Sequence, residues 1–253
     1  MTWNRREFLQ AAAAGLSTGL LDHAPAAQNA DSTIRAVAFD GFVIFDPRPV
    51  FALAERLFPG KGAEISSAWR MRQFEYQWLC ALSRRYVDFE QATEGALVYA
   101  ANLLKLDLTA DNRAQLMRAY LELKAWPDVL PALRKMHDLG IRLAVLSNAT
   151  PRILEAGIDN SGLQRLFDYV ISTHNIQTYK PDPRAYQMGI DAFKLPRNQI
   201  AFAAFGGWDA AGAKWFGYPT FWVNRMSLPV EELDARPDAI VATAGELIAL
   251  IRP

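Results

Sequence analysis

Apolar and polar positions change rhythm along the chain. Ile34-Arg35-Ala36-Val37-Ala38-Phe39 is a short apolar run that stops at Asp40, the pattern of a buried parallel strand delivering a side chain to a sheet's carboxyl edge. From Pro49 to about Lys124 the rhythm becomes helical, with no convincing strand. Trp69, Phe74, Tyr76, Trp78, Leu79, Leu97 and Leu103 are the candidate core positions of that stretch. Strand and helix then alternate. Helix is expected over Val129–Leu139, Pro151–Ile158 and Pro183–Phe193 and from Ala210 onward. Strand is expected over Arg142–Leu146, Tyr169–Ser172, Ile200–Ala203, Thr220–Val223 and Ala239–Ala242, before a terminal helix.

This alternation predicts an α/β fold: a Rossmann-like parallel sheet core with helices on both faces, and an all-helical cap inserted after the first strand. Residues 27–48 and 125–253 would form the core and residues 49–124 the cap. Ahead of them, Asn4-Arg5-Arg6-Glu7-Phe8-Leu9 places two adjacent arginines before a modest apolar run ending near Leu21. Ala24-Pro25-Ala26 follows, a small-x-small cleavage pattern. Residues 1–26 therefore look like a twin-arginine signal peptide, which implies a mature protein working in the periplasm. The plainer alternative is an amphipathic first helix, but the Ala/Gly/Ser/Thr-rich run has little polar face and is too short to span a bilayer.

Composition narrows the partners. With 51% hydrophobic and 21% charged residues, the 253-residue chain is able to bury a real core. Its 27 basic and 27 acidic residues balance, so no long-range field gathers nucleic acid or an anionic membrane surface. Small neutral or singly charged ligands remain. The lone cysteine, Cys80, lies in an apolar and aromatic helical stretch, is expected to be a buried packing residue, and has no partner for an intramolecular disulfide.

Four segments that follow strands, or the loops leaving them, would converge at one sheet edge: Phe39-Asp40, Leu146-Ser147-Asn148, Lys180-Pro181-Asp182 and Gly206-Gly207-Trp208-Asp209. Singly, each has an ordinary structural explanation. A strand-end Asp often caps the next helix, Ser-Asn is common turn chemistry, and Lys-Pro is common surface sequence. Together, two carboxylates, an ammonium, a hydroxyl and an amide suit covalent catalysis by an aspartate, followed by hydrolysis of the ester.

In these residues the chain resembles the haloacid dehalogenase superfamily and, within it, the type II L-2-haloacid dehalogenases. The most specific stretches are Ile65-Ser66-Ser67-Ala68-Trp69-Arg70, Phe74-Glu75-Tyr76, Arg85-Tyr86-Val87-Asp88-Phe89, Tyr179-Lys180-Pro181-Asp182, Trp208-Asp209-Ala210 and Phe216-Gly217-Tyr218-Pro219-Thr220. The resemblance implies an (S)-2-haloacid dehalogenase that hydrolyses 2-haloalkanoates to 2-hydroxy acids with inversion, through an aspartyl ester on Asp40. Lys180 would pair with Asp40 and hold it as a carboxylate for attack, and Asp209 would position the hydrolytic water. Ser147 would hold the substrate carboxylate and Arg70 and Asn148 the departing halide. Phe89 and Trp208 would wall the pocket, and Tyr186 would match a pocket tyrosine. No cofactor and no metal are implied. The plain alternatives are a solvated helix residue for Arg70 and core packing for Phe89 and Trp208.

Two motifs depart from the family pattern. Asp-x-Tyr-Gly-Thr-Leu-Phe-Asp is replaced by Asp40-Gly41-Phe42-Val43-Ile44-Phe45-Asp46, one residue shorter and without the Gly-Thr pair. Ser-Ser-Asn-Ala-Trp-Asp is replaced by Ala204-Phe205-Gly206-Gly207-Trp208-Asp209, without the serines and asparagine. These losses fall on the hydrolytic half of the reaction and predict slow or altered turnover. Gly206 and Gly207 would leave room for water or main-chain amides in place of the lost side chains. The competing readings are a catalytically silent protein that binds small carboxylates, and a phosphatase. Superfamily phosphatases carry a second Asp two residues after the nucleophile, where this chain has Phe42, which is unable to shuttle a proton. The exposed aromatics of the cap would suit a homodimer.

Overall fold

A computed structural model describes residues 33–251. The signal peptide expected over residues 1–26 lies outside the described residues. Strand β1 (Ala36–Phe39) runs straight into Asp40 and a single helical turn, α1 (Gly41–Ile44). Four helices follow without an intervening strand: α2 (Arg48–Leu57), α3 (Gly62–Leu82), α4 (Phe89–Leu103) and α5 (Ala110–Ala119). The alternating part comprises α6 (Val129–Asp138), β2 (Arg142–Ser147), α7 (Pro151–Ser161), β3 (Tyr169–Ser172), α8 (Pro183–Phe193), β4 (Ile200–Ala204), α9 (Gly207–Phe216), β5 (Thr220–Val223), β6 (Ala239–Val241) and α10 (Leu247–Leu250).

The six strands pair in the order β3-β2-β1-β4-β5-β6, all parallel. This is an α/β Rossmann-like sheet. β1 lies between β2 and β4, with Phe39 level with Val145 on one side and Ala203 on the other. The chain leaves β1 at the point where strand order reverses, and that is where parallel sheets open a crevice for ligands. Residue alternation along β1 explains the two-faced core. Val37 and Phe39 pack with the cap, α6 and α7, whereas Ala36 and Ala38 pack with Tyr186 and Phe193 of α8 and Ala210 and Ala213 of α9.

Local chemistry sets the helix ends that deliver functional groups. Asp182 caps α8 by accepting from the Arg184 N–H, and Pro183 sits at the first turn, where its missing N–H costs nothing. Asp88 caps α4 in the same way through the Gln91 N–H. In the cap, Trp69 and Leu97 are buried as expected, and the Trp69 indole donates to the Thr93 carbonyl at 2.8 Å. Leu79 and Leu103 are instead exposed, and Cys80 is only partly buried. The long α3 is apolar on more than one side, and the stripe it buries runs through Ile65, Trp69, Gln73 and Gln77. Leu79, Cys80 and Leu82 fall off that stripe. Among the described residues, no helix is long and apolar enough to cross a membrane.

Candidate active site

Lys180 is fully buried at the centre of the sheet's carboxyl edge. Its Nζ donates to Asp40 Oδ2 at 2.7 Å, to Asp209 Oδ2 at 2.6 Å and to the Leu146 carbonyl at 3.3 Å. An ammonium has three protons, so all three are committed and the group has one orientation. Burial alone would lower the pKa of Lys180, but the charges of Asp209 and Asp40 outweigh it and raise it. Asp209 is also fully buried. Its Oδ1 accepts from the Tyr186 hydroxyl at 2.7 Å. Burial, reinforced by the charge of Asp40 and opposed by Lys180 and Tyr186, raises the Asp209 carboxyl to about 6. A buried carboxylate titrating in that range is poised to take up a proton.

Asp40 does two jobs. Its Oδ1 accepts from the Phe42 N–H at 2.9 Å, capping α1, while Oδ2 meets Lys180. The shortened segment after it is tied down through its carbonyls. Trp126 Nε1 donates to the Phe42 carbonyl at 3.0 Å, Arg225 to that of Val43 at 3.1 Å, and the Trp126 N–H to that of Ile44 at 3.0 Å. Gly41 allows Ser147 to approach, because a Cβ at position 41 would lie 2.8 Å from Ser147 Oγ. Ser147 Oγ accepts from the Ala149 N–H at 3.1 Å and keeps its own proton for another acceptor.

Above Asp40, Ser147, Asn148 and Asp209 lies a cavity of about 50 Å³ with a mostly apolar wall. The core contributes Phe42, Phe205, Gly206, Trp208 and Met226, and the cap contributes Phe51, Arg70, Gln73, Phe74, Gln77, Phe89 and Tyr120. Arg70 lines this cavity with no ion-pair partner among the described residues. Its guanidinium lies 5.8 Å from the centre of the Phe74 ring, and burial pulls its pKa below the usual value. Trp208 is gripped by the cap, with ring centres 5.3 Å from Phe74 and 5.5 Å from Trp78. It leans over Gly206, where a Cβ would lie 2.7 Å from its Nε1. The space expected to hold water or main-chain amides is therefore occupied in part by indole.

Two carboxylates bridged by one ammonium thus lie beneath a capped, mostly apolar pocket. A family model described as haloacid dehalogenase-like hydrolase matches residues 47–217. The (S)-2-haloacid dehalogenase of Pseudomonas sp. (strain YL) is 41% identical over 218 residues, 86% of this chain and 94% of that one. The chain belongs to the haloacid dehalogenase-like hydrolases. Within them it falls in the L-2-haloacid dehalogenase subfamily. A crystal structure of an L-2-haloacid dehalogenase overlays with a TM-score of 0.85 at 40% identity, covering 87% of this chain and 100% of that one. The L-2-haloacid dehalogenase of Xanthobacter autotrophicus, solved with chloropropionic acid covalently bound, overlays with a TM-score of 0.79 at 32% identity over 87% of this chain and 98% of that one.

Against this dehalogenase frame, the sequence-derived residues divide into groups. Asp40, Lys180 and Asp209 meet in one hydrogen-bonded cluster, and Arg70, Phe89, Ser147, Asn148 and Trp208 line the cavity above it. Tyr186 needs correction. It is fully buried behind the cluster and reaches Asp209, not the cavity, because α8 packs on the far face of the sheet. Asn148 is also more committed than expected. Its Oδ1 accepts from the Lys180 N–H at 2.8 Å and the Thr173 hydroxyl at 3.3 Å, and its Nδ2 donates to Gln77 Oε1 at 3.1 Å. Sequence reasoning missed Gln73, Gln77, Tyr120, Phe205 and Met226 on the cavity wall. For the two glutamines a signal existed, since they fall at the buried spacing of α3 with Ile65 and Trp69.

Proposed function

We propose that this protein is an (S)-2-haloacid dehalogenase in which Asp40 is the nucleophile. The observation that carries this reading is the Asp40–Lys180–Asp209 cluster beneath an apolar cavity that holds an unpaired arginine. An Asp40 oxygen attacks C2 of the 2-haloalkanoate from the side opposite the halogen. The new C–O bond forms as the carbon–halogen bond breaks, and halide leaves with the electron pair. Water then attacks the ester carbonyl of Asp40 and gives up its proton toward Asp209. The products are the 2-hydroxy acid of inverted configuration and a restored Asp40 carboxylate. Arg70 offsets the charge of the anionic substrate and of the departing halide in a mostly apolar cavity. Asp209 supports the second step better than its motif suggests, because Lys180 and Tyr186 orient it in place of the missing serine and asparagine. The Phe42 ring, 5.9 Å from that of Phe205, gives the cavity an apolar wall suited to an alkyl halide where a phosphatase would present a carboxylate.

Purified protein should release halide from L-2-chloropropionate, and Asp40→Asn should abolish release. Carboxylate binding without halide release would support the silent binding protein instead. The Arg5-Arg6 pattern supports export and action in the periplasm, which fractionation of cells expressing the full chain tests. Exposed Met71, Leu79 and Leu82 on α3 support a homodimer, which light scattering tests.

A further inference from the structure

Asn148 is the amide that the subfamily resemblance points toward the halide, yet its hydrogen bonds turn it elsewhere. The Lys180 main-chain N–H is only ever a donor, so the Asn148 atom that meets it at 2.8 Å must be the oxygen. That places Asn148 Nδ2 against Gln77, 3.1 Å away, and the Gln77 atom there must be its oxygen. The Gln77 Nε2 is then left over. It is buried and has no hydrogen-bond partner among the described residues, on a side chain that is fully buried and lines the cavity with Arg70, about two α3 turns away. Trp208 Nε1 is a second buried donor without a partner on the same cavity. Buried N–H groups without acceptors are rare in native proteins, and two around one cavity beside an unpaired guanidinium describe a receptor for an anion.

Building on the dehalogenase reading, we propose that Gln77 Nε2 is the amide donor that receives the departing halide beside Arg70, with Asn148 acting as its positioning residue. As C2 transfers to Asp40, charge grows on the halogen, and the N–H bond to it strengthens in step. A hydrogen-bond donor matters most for the halide that is the strongest acceptor and poorest leaving group. Fluoride release therefore depends on Gln77 most and bromide release least.

The test is single-turnover halide release from L-2-fluoro-, L-2-chloro- and L-2-bromopropionate by the full-length protein and Gln77→Leu. Expected is a loss of about tenfold or more with the chloro acid, larger with the fluoro acid and smaller with the bromo acid. Gln77→Met keeps the length of the side chain and removes the amide donor without adding a buried charge, so it should show the same ordering even if Gln77→Leu does not fold. Equal fold losses with all three acids, or none, would overturn this assignment while leaving the dehalogenase reading intact. No halide release by the unsubstituted protein would overturn the dehalogenase reading itself.

Discussion

Lys180→Met removes the one cation between two buried carboxylates and leaves their shape complement nearly unchanged. Three hydrogen bonds disappear, at 2.7, 2.6 and 3.3 Å, and Asp40 and Asp209 then face each other without compensation. Removing one partner of a buried ion pair costs about 3–5 kcal/mol, mostly from the charge left behind. For a domain of this size that corresponds to a fall in Tm of about 6–20 °C. The sign with pH follows from the carboxylates. Without Lys180 the folded pKa of Asp209, already raised by burial, rises further above its unfolded value, so the folded state holds the extra proton. The deficit of the variant is then full above that folded value and shrinks as acid is added. Urea titrations of both proteins across the acid range, with intrinsic fluorescence as the probe, measure this directly. Adding Asp209→Asn to Lys180→Met should recover part of the lost stability, because one of the two stranded charges is gone. A Lys180→Met protein within about 1 kcal/mol of the original, with a pH-independent difference, would refute the claim that this ammonium is the electrostatic keystone of the site.

Two further outcomes are expected. Asp209 works as a carboxylate, and its pKa is raised to about 6 in part by the charge of Asp40, which the ester removes, so the ester-hydrolysis step should run fully above that pH and fall only at lower pH, while single-turnover halide release keeps its rate; a hydrolysis rate that stays flat down to the ordinary carboxylate range would remove Asp209 from the step. Gly206→Ala would put a methyl 2.7 Å from Trp208 Nε1 and 3.1 Å from its Cδ1, displacing the indole from the cavity and slowing halide release by about tenfold, the equivalent of about 1.4 kcal/mol; unchanged kinetics would show that the position of the indole does not matter.

Much of this architecture is legible in the sequence. Tyr169–Ser172, Pro183–Phe193 and Thr220–Val223 coincide with their expected ends because each is bounded by a proline, a capping Asp or a short apolar run with one possible reading. Asp40, Lys180 and Asp209 stood out because each follows a strand at the same sheet edge. The errors have a physical pattern. Leu79 and Leu103 were expected inside because they are apolar, but a long helix with apolar residues on several sides does not announce which stripe is covered. Tyr186 was expected in the pocket because it matches a pocket tyrosine of the family it resembles, although α8 lies on the opposite face of the sheet. The role of Gln77 depends on which way an amide points, and that is settled by the main chain of Lys180, far away in sequence. Periodicity carries no record of such a relay.

The most direct test of Asp40 as a covalent nucleophile is a single turnover with enzyme in excess over L-2-chloropropionate, in water enriched with heavy oxygen. If an ester forms on Asp40 and water attacks its carbonyl, the heavy oxygen enters the Asp40 carboxylate, and the lactate carries the ordinary oxygen that Asp40 donated. Mass spectrometry of the peptide containing Asp40 and of the lactate reads both. Heavy oxygen in the lactate, with none on Asp40, would mean that water attacks C2 directly and would contradict the aspartyl-ester mechanism.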